Sequence, residues 1–243
     1  DNILLLSRKK TMHYKFKTKP YGHQLTALEK SSDKKVYALF MEMGTGKTKV
    51  AIDNLAMLYD KGKINGALII APKGVYKNWY SQEFPAHMPK HIRYKLVLWQ
   101  AAINQKQKKR LDTLFKTGVD LHILIMNVEA FSTTKGVDFA KKFLSCHETF
   151  MVVDESTTIK NPGAKRTKNI INLAMHAKYR RILTGSPVTK SPMDLYSQCG
   201  FMSKDLLGHD SFWSFQGKYA ISRTQRMGSH SFQQIVGYKN LDD

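Results

Sequence analysis

Two short stretches carry residues whose types and spacing could do phosphate chemistry. The first, MEMGTGKTKV (Met41 to Val50), sets two glycines, a lysine and a threonine behind the apolar run VYALF (Val36 to Phe40). The stretch after it puts Val50, Ala51, Leu55, Leu58 and Tyr59 on one helical stripe. Where a strand hands over to a helix, backbone N–H groups that no helical carbonyl can satisfy point outward, and with the helix dipole they bind anionic phosphate oxygens. On this reading Met43, Gly44, Thr45 and Gly46 line the loop, Lys47 reaches the β and γ phosphates of a nucleotide, and the Thr48 hydroxyl ligates Mg²⁺. The strict loop pattern asks for a further glycine at the position held by Met41. A lone glycine pair is as well explained by a tight turn; the lysine and threonine behind this one favour nucleotide.

The second stretch is TFMVVDESTTIKNP (Thr149 to Pro162). A buried strand that ends in two adjacent carboxylates, Asp154 and Glu155, is costly unless something cationic or catalytic uses them. Opposite a phosphate-binding loop, the first carboxylate holds Mg²⁺ through water and the second orients and deprotonates the attacking water. Alone, the pair would only mark a strand end.

The elements that must position these residues recur at regular intervals. VYALF is continuously apolar and suits a strand covered on both faces; ALIIA (67–71), KLVLW (95–99), HILIM (122–126), TFMVV (149–153) and RRILT (180–184) read as further strands. Helical patterns fall at 47–60, 75–84, 104–116, 137–145 and 165–176. Strand alternating with helix predicts an α/β fold, a mostly parallel sheet flanked by helices, with ligands at the carboxyl ends of the strands. From Ser203 onward the character changes, to an aromatic and glutamine-bearing tail with MGSH (227–230) as a turn between two short strands.

Composition narrows the partners. With 42% apolar and 24% charged residues in 243, the chain suits one large domain with a terminal appendage. Lys plus Arg number 39 against 19 Asp plus Glu, a net charge of +20 that points to a polyanion, nucleic acid before membrane lipid, although a scattered surplus can also be solvated surface. The longest N-terminal apolar run, ILLL (3–6), is too short for a signal-peptide core or a membrane span. The protein is expected inside the cell: cytoplasmic in a bacterium or infected host, nuclear in a eukaryote. Cys146 and Cys199 make no disulfide framework or zinc site and read as buried thiols. His87 and His91 have ligand spacing, but Pro89 breaks the helix that would align them. Trp79 and Trp99 could stack bases, yet aromatics beside strands are more often core.

Five stretches in order carry a resemblance: PYGHQLTALE (20–29), MEMGTGKT (41–48), LIIAPKGVYKNWYSQEF (68–84), DESTTIKNPGAK (154–165) and ILTGSPVTKSPMDLYSQCGFM (182–202). They resemble motifs Q, I, Ia, II and III of superfamily-two helicases, in the Swi/Snf-like branch of double-stranded DNA translocases. The resemblance implies a RecA-like ATP-binding lobe over 1–202, and a tail, 203–243, leading toward a second RecA-like lobe of the same polypeptide beyond Asp243. It implies that Gln24 reads the adenine edge and that Lys47, Asp154 and Glu155 are catalytic. Thr184, Gly185 and Ser186 would link the phosphate site to the DNA track, and Lys73, Asn78, Lys160 and Asn161 would touch the phosphate backbone of duplex DNA. The isolated lobe is expected to be a monomer and a weak ATPase, because the arginines that stabilise the transferring phosphate come from the second lobe. The family commonly has Asp-Glu-Ala-His where this chain has Asp154-Glu155-Ser156-Thr157, which leaves Thr157 to fill the histidine's coupling role in part. Two alternatives stand beside the DNA motor: an RNA helicase lobe, for which motif II would end in alanine-aspartate, and a nucleotide-gated DNA-binding module that never turns over.

Overall fold

The computed structural model describes residues 14–102, 104–116, 118, 120–228 and 230–241. The ILLL run and the start of the basic N-terminal stretch lie outside the described residues. In chain order the main elements are α1 (Gly22–Ser31), β1 (Val36–Phe40), α2 (Lys47–Asp60), β2 (Gly66–Ala71), α3 (Tyr76–Asn78), α4 (Phe84–His87), β3 (Tyr94–Leu98) and α5 (Gln105–Asp112). There follow β4 (Leu121–Asn127), α6 (Thr134–Cys146), β5 (Thr149–Asp154), α7 (Lys165–Ala174), β6 (Tyr179–Thr184), α8 (Asp194–Met202), α9 (Phe212–Tyr219), β7 (Ala220–Met227) and β8 (His230–Tyr238).

Six strands form one parallel sheet in the order β1-β6-β5-β2-β4-β3. The strands buried almost throughout, β2, β4 and β5, lie side by side in the interior of the sheet, where both faces are covered. In β2, Ala67, Ile69 and Ala71 face one core while Leu68 and Ile70 face the other; Phe150 and Val152 against Met151 and Val153 divide β5 in the same way. VYALF departs from expectation. It is an edge strand, and only Leu39 is fully buried. Helix α2 departs in the opposite sense: every residue from Val50 to Leu58 is buried, because the helix lies between the sheet and α1 with α4 rather than on the surface.

The segment expected as one helix at 75–84 runs as α3, a π-helical turn over Trp79–Glu83, then α4. The Phe84 N–H bonds back five residues to the Trp79 carbonyl, immediately ahead of Pro85, which has no N–H to continue an α ladder. Cys146 is exposed and Cys199 half-buried, against the expectation of two buried thiols; burial pushes the Cys199 thiol up to about 11. His87 and His91 serve separate partners, Thr18 and Asp60. Among the described residues no helix is long and apolar enough to cross a membrane, and no His, Cys, Asp or Glu cluster could hold a metal by itself.

One buried cation ties the phosphate-loop side of the sheet together. Arg181 on β6 is fully buried and all its partners are neutral: Nε donates to Asn54 Oδ1 of α2 at 3.0 Å, and the two terminal nitrogens donate to the carbonyls of Ser31, Lys34, Lys35 and Arg180. Five N–H groups meet five acceptors, one of them at the negative end of α1. Burial pulls the guanidinium down to about 10, and it stays charged at neutral pH. Arg181→Met leaves buried acceptors unpartnered, and equilibrium urea unfolding is expected to show a loss of about 3 kcal/mol or more.

Candidate functional site

The glycine loop turns at the carboxyl end of β1 with Gly44 and Gly46 both left-handed, at φ 79° and 82°. Gly46 is required twice over. A Cβ there would lie 2.3 Å from Nε2 of Gln24, besides straining the backbone. Gln24 is buried on α1, donates to the Thr45 carbonyl at 3.0 Å and accepts from the Tyr21 N–H at 3.0 Å. Its amide therefore braces the loop and keeps one N–H and one lone pair over. His23 contacts the same Thr45 carbonyl. Lys47 opens α2, is buried, and donates to the carbonyls of Met41 and Glu42 at 3.0 and 3.1 Å. Thr48 follows it in the first turn, with no hydrogen bond from its hydroxyl to any described residue. Met43 stands fully in solvent at the loop's apex.

Asp154 and Glu155 end β5, which is separated from β1 by β6 alone. At about 4.8 Å per strand, loop and acids rise from strands about 10 Å apart on the same edge. Asp154 is buried, and that burial holds its carboxyl above the usual range, with the Glu155 charge adding to the shift. Opposing it are the Trp79 indole N–H, which donates to Oδ2 at 2.8 Å, the Glu155 N–H to Oδ1 at 3.0 Å, and the positive charge of Lys47. Lys47 and Asp154 thus act on each other across the intervening strand. Glu155 itself sits at φ 47°, ψ 61°, one of two non-glycine residues at positive φ among those described. Backbone strain of that kind costs about 1–3 kcal/mol and collects at functional positions.

Trp79 was weighed as a base-stacking or core residue; it is core, and its polar edge orients the acid. Trp99 is buried in the other core, and Trp213 is exposed. Thr184 at the end of β6 is buried between the two chemical loops, its hydroxyl accepting from the Ser186 N–H. A Cβ on Gly185 would come within 3.3 Å of the Met43 nitrogen, so this segment lies directly against the phosphate loop. Ser156, rather than Thr157, reaches across to α8: its buried hydroxyl donates to Gln198 Oε1 at 2.6 Å, and Gln198 donates to the carbonyls of Pro187 and Asp194.

Of the four residues assigned to nucleic acid, Lys73 follows β2 and is exposed, while Asn78 on α3 is half-buried and donates to Glu83. Lys160 and Asn161 follow β5, the neighbour of β2. Lys160 is engaged within the chain, bonded to Thr189 and 3.4 Å from Asp194. Asn161 is exposed and accepts from the Gly163 N–H. Asp194 also accepts from the N–H groups of Thr189 and Lys190 and from the Thr189 hydroxyl. Partly desolvated but held by these donors, it lies down at about 2.

The SNF2-related domain model matches residues 24–238. The chain belongs to that family. Chromatin-remodeling ATPase INO80 of Gibberella zeae is 27% identical over 191 residues, 76% of this chain and 10% of that protein. A zebrafish (Danio rerio) SWI/SNF-related regulator of chromatin containing a DEAD/H box is 30% identical over 163 residues, 66% of this chain and 16% of its own length. The chain thus spans about a tenth to a sixth of these relatives. Among solved structures, the Sulfolobus solfataricus SWI2/SNF2 ATPase core in complex with double-stranded DNA superposes with a TM-score of 0.66 at 24% identity, over 85% of this chain and 40% of that one. The UvsW helicase of bacteriophage T4 gives 0.55 at 14%, over 76% and 58%. The parallel sheet and its flanking helices are therefore the RecA-like fold of an SNF2-related domain.

In this SNF2-related site the Trp79 bond favours ionised Asp154, and a metal bound there would compete with the proton for that carboxylate. Metal-dependent nucleotide affinity is expected to rise as pH passes upward through the raised Asp154 value. Trp79→Phe removes an influence that lowers it, so the profile should move to higher pH, as titration of a fluorescent nucleotide with and without Mg²⁺ would read.

Proposed function

We propose that this SNF2-related domain is the N-terminal ATPase lobe of a double-stranded DNA translocase, coupling ATP hydrolysis to movement along DNA. The observation that carries the reading is that the loop bearing Lys47 and the buried Asp154 leave the carboxyl ends of strands one apart, with the Gly185 segment packed on the same loop. The names of the relatives, an ATPase and an ATPase core with duplex DNA, support the same choice.

In this reading the loop amides from Gly44 to Thr48 and the Lys47 ammonium hold the triphosphate, and Lys47 exchanges the Met41 and Glu42 carbonyls for phosphate oxygens. The unpartnered Thr48 hydroxyl and the Asp154 carboxylate fit a magnesium ion, all-oxygen and hard, with Asp154 acting through water. Bound there, the ion would neutralise charge on the phosphate oxygens. Glu155, half-exposed at the strained turn, would orient a water and take its proton as that water attacks the γ-phosphorus and the bond to the β–γ bridging oxygen breaks, with ADP as the leaving group. Gln24 offers its remaining N–H and lone pair to adenine, while Thr184, Gly185 and Ser186 relay the phosphate state toward Lys73, Asn78, Lys160 and Asn161 on the DNA backbone. Residues 1–202 form the lobe and 203–243 lead to a second lobe of the same polypeptide, which supplies the arginines.

ATPase assays of the full-length polypeptide with duplex DNA, single-stranded DNA and RNA test this reading. Duplex stimulation is expected; preferential stimulation by RNA would favour an RNA helicase, and no turnover with any of them a nucleotide-gated binder. Lys47→Ala is expected to abolish nucleotide binding. Glu155→Gln should lower turnover about 100-fold or more while nucleotide stays bound, and normal hydrolysis by this variant would remove Glu155 as the base.

A further inference from the structure

The strands β7 and β8 form a separate antiparallel ribbon, joined by a turn at Gly228 (φ 62°). From Ser211 to Leu241 the sequence holds no acidic residue, while it carries Lys218, Arg223, Arg226 and Lys239. Register fixes the faces. Arg223 opposes Gln234 and Gln225 opposes Phe232, so a guanidinium, two amides and an aromatic ring share one face near the tip, all exposed. Arg226, three residues on from Arg223, points to the other face. Among the described residues no carboxylate pairs with either arginine. A two-stranded ribbon with so little burial is marginal on its own, so it is anchored at its base: Ala220 and Ile235 pack with Phe215 and Met193. Met193 lies within the Thr189–Asp194 segment that holds Lys160, which roots the ribbon beside that candidate DNA residue after the carboxyl end of β6.

We propose that the ribbon tip is a DNA-contacting arm of this lobe: it enters a groove of the duplex, with Arg223 and Arg226 on backbone phosphates and Gln225, Phe232 and Gln234 toward the base edges. Charge decides for nucleic acid over protein, since an acid-free surface with two unpaired guanidinium groups complements phosphate. A two-stranded ribbon also matches the width of the B-DNA major groove, about 12 Å. The proposal rests on duplex DNA being the partner.

Each phosphate contact contributes about 0.9 to the slope of log affinity against log salt. Fluorescence anisotropy with labelled duplex across a salt series should therefore give R223Q/R226Q of the full-length chain a slope shallower than wild type by about 1.8. K108Q/K109Q, which removes two exposed charges from α5, should leave the slope unchanged. Both arginines are exposed, so folding is not at stake, and equal melting temperatures would verify that. A wild-type slope in R223Q/R226Q, or an equal loss from the α5 pair, would overturn the arm and leave the motor reading standing. Wild-type protein that binds no duplex at any salt would overturn both.

Discussion

The site depends on keeping one carboxylate dry. Asp154 ends a strand buried on both faces, and desolvation raises its carboxyl above the ordinary range. Three features oppose this without restoring water: the Trp79 indole, the Glu155 amide and the charge of Lys47. The strand order makes the third possible. Were β5 beside β1, no strand would be left to carry Thr184 and Gly185 between the two loops. With β6 alone between them, the Gly185 backbone lies directly against the glycine loop at Met43.

Holding β6 in that slot is the task of Arg181. Its position one residue before Ile182 on an inward-facing strand would suit an aliphatic side chain, yet a guanidinium there can bond several chain segments at once. The five acceptors come from the end of α1, the loop into β1, β6 itself and Asn54 of α2. The cation thus joins α1, the turn into β1, β6 and α2, with Arg181 registered against Tyr37 near the start of β1.

What was legible in the sequence divides along physical lines. Contiguous chemistry could be read: the glycine loop and the acidic pair each lie within a few residues, and the interior strands β2, β4 and β5 are dominated by apolar residues. Pairings distant in sequence could not. Trp79 and Asp154 are 75 residues apart, Ser156 and Gln198 42, and no local pattern announces either. The α1 and α8 helices were missing from the helical pattern because DLYSQCGFM and GHQLTALEKS mix buried polar residues into the face they bury. Edge position, which left VYALF half-exposed, and double-sided cover, which buried α2 all round, are properties of the assembled sheet and not of either segment. Trp79 had the right residue type for two roles, and only its hydrogen bond separates them.

The departure at Ser156 shows how a local substitution becomes a global arrangement. An alanine at this buried position makes no demands, whereas a buried hydroxyl needs a partner or costs about 1–3 kcal/mol. Gln198 meets that need with its carbonyl, and its amide then has to be satisfied in turn, which the Pro187 and Asp194 carbonyls do. Asp194 meanwhile gathers Thr189, Lys190 and Lys160, so the turn after the acidic pair and the segment after β6 are joined by two polar routes, one through Ser156 and one through Lys160. Neither Ser156 nor Gln198 is stable in place without the other. The Glu155 turn and the 185–198 segment are thus joined by hydrogen bonds through the buried Ser156 and Gln198.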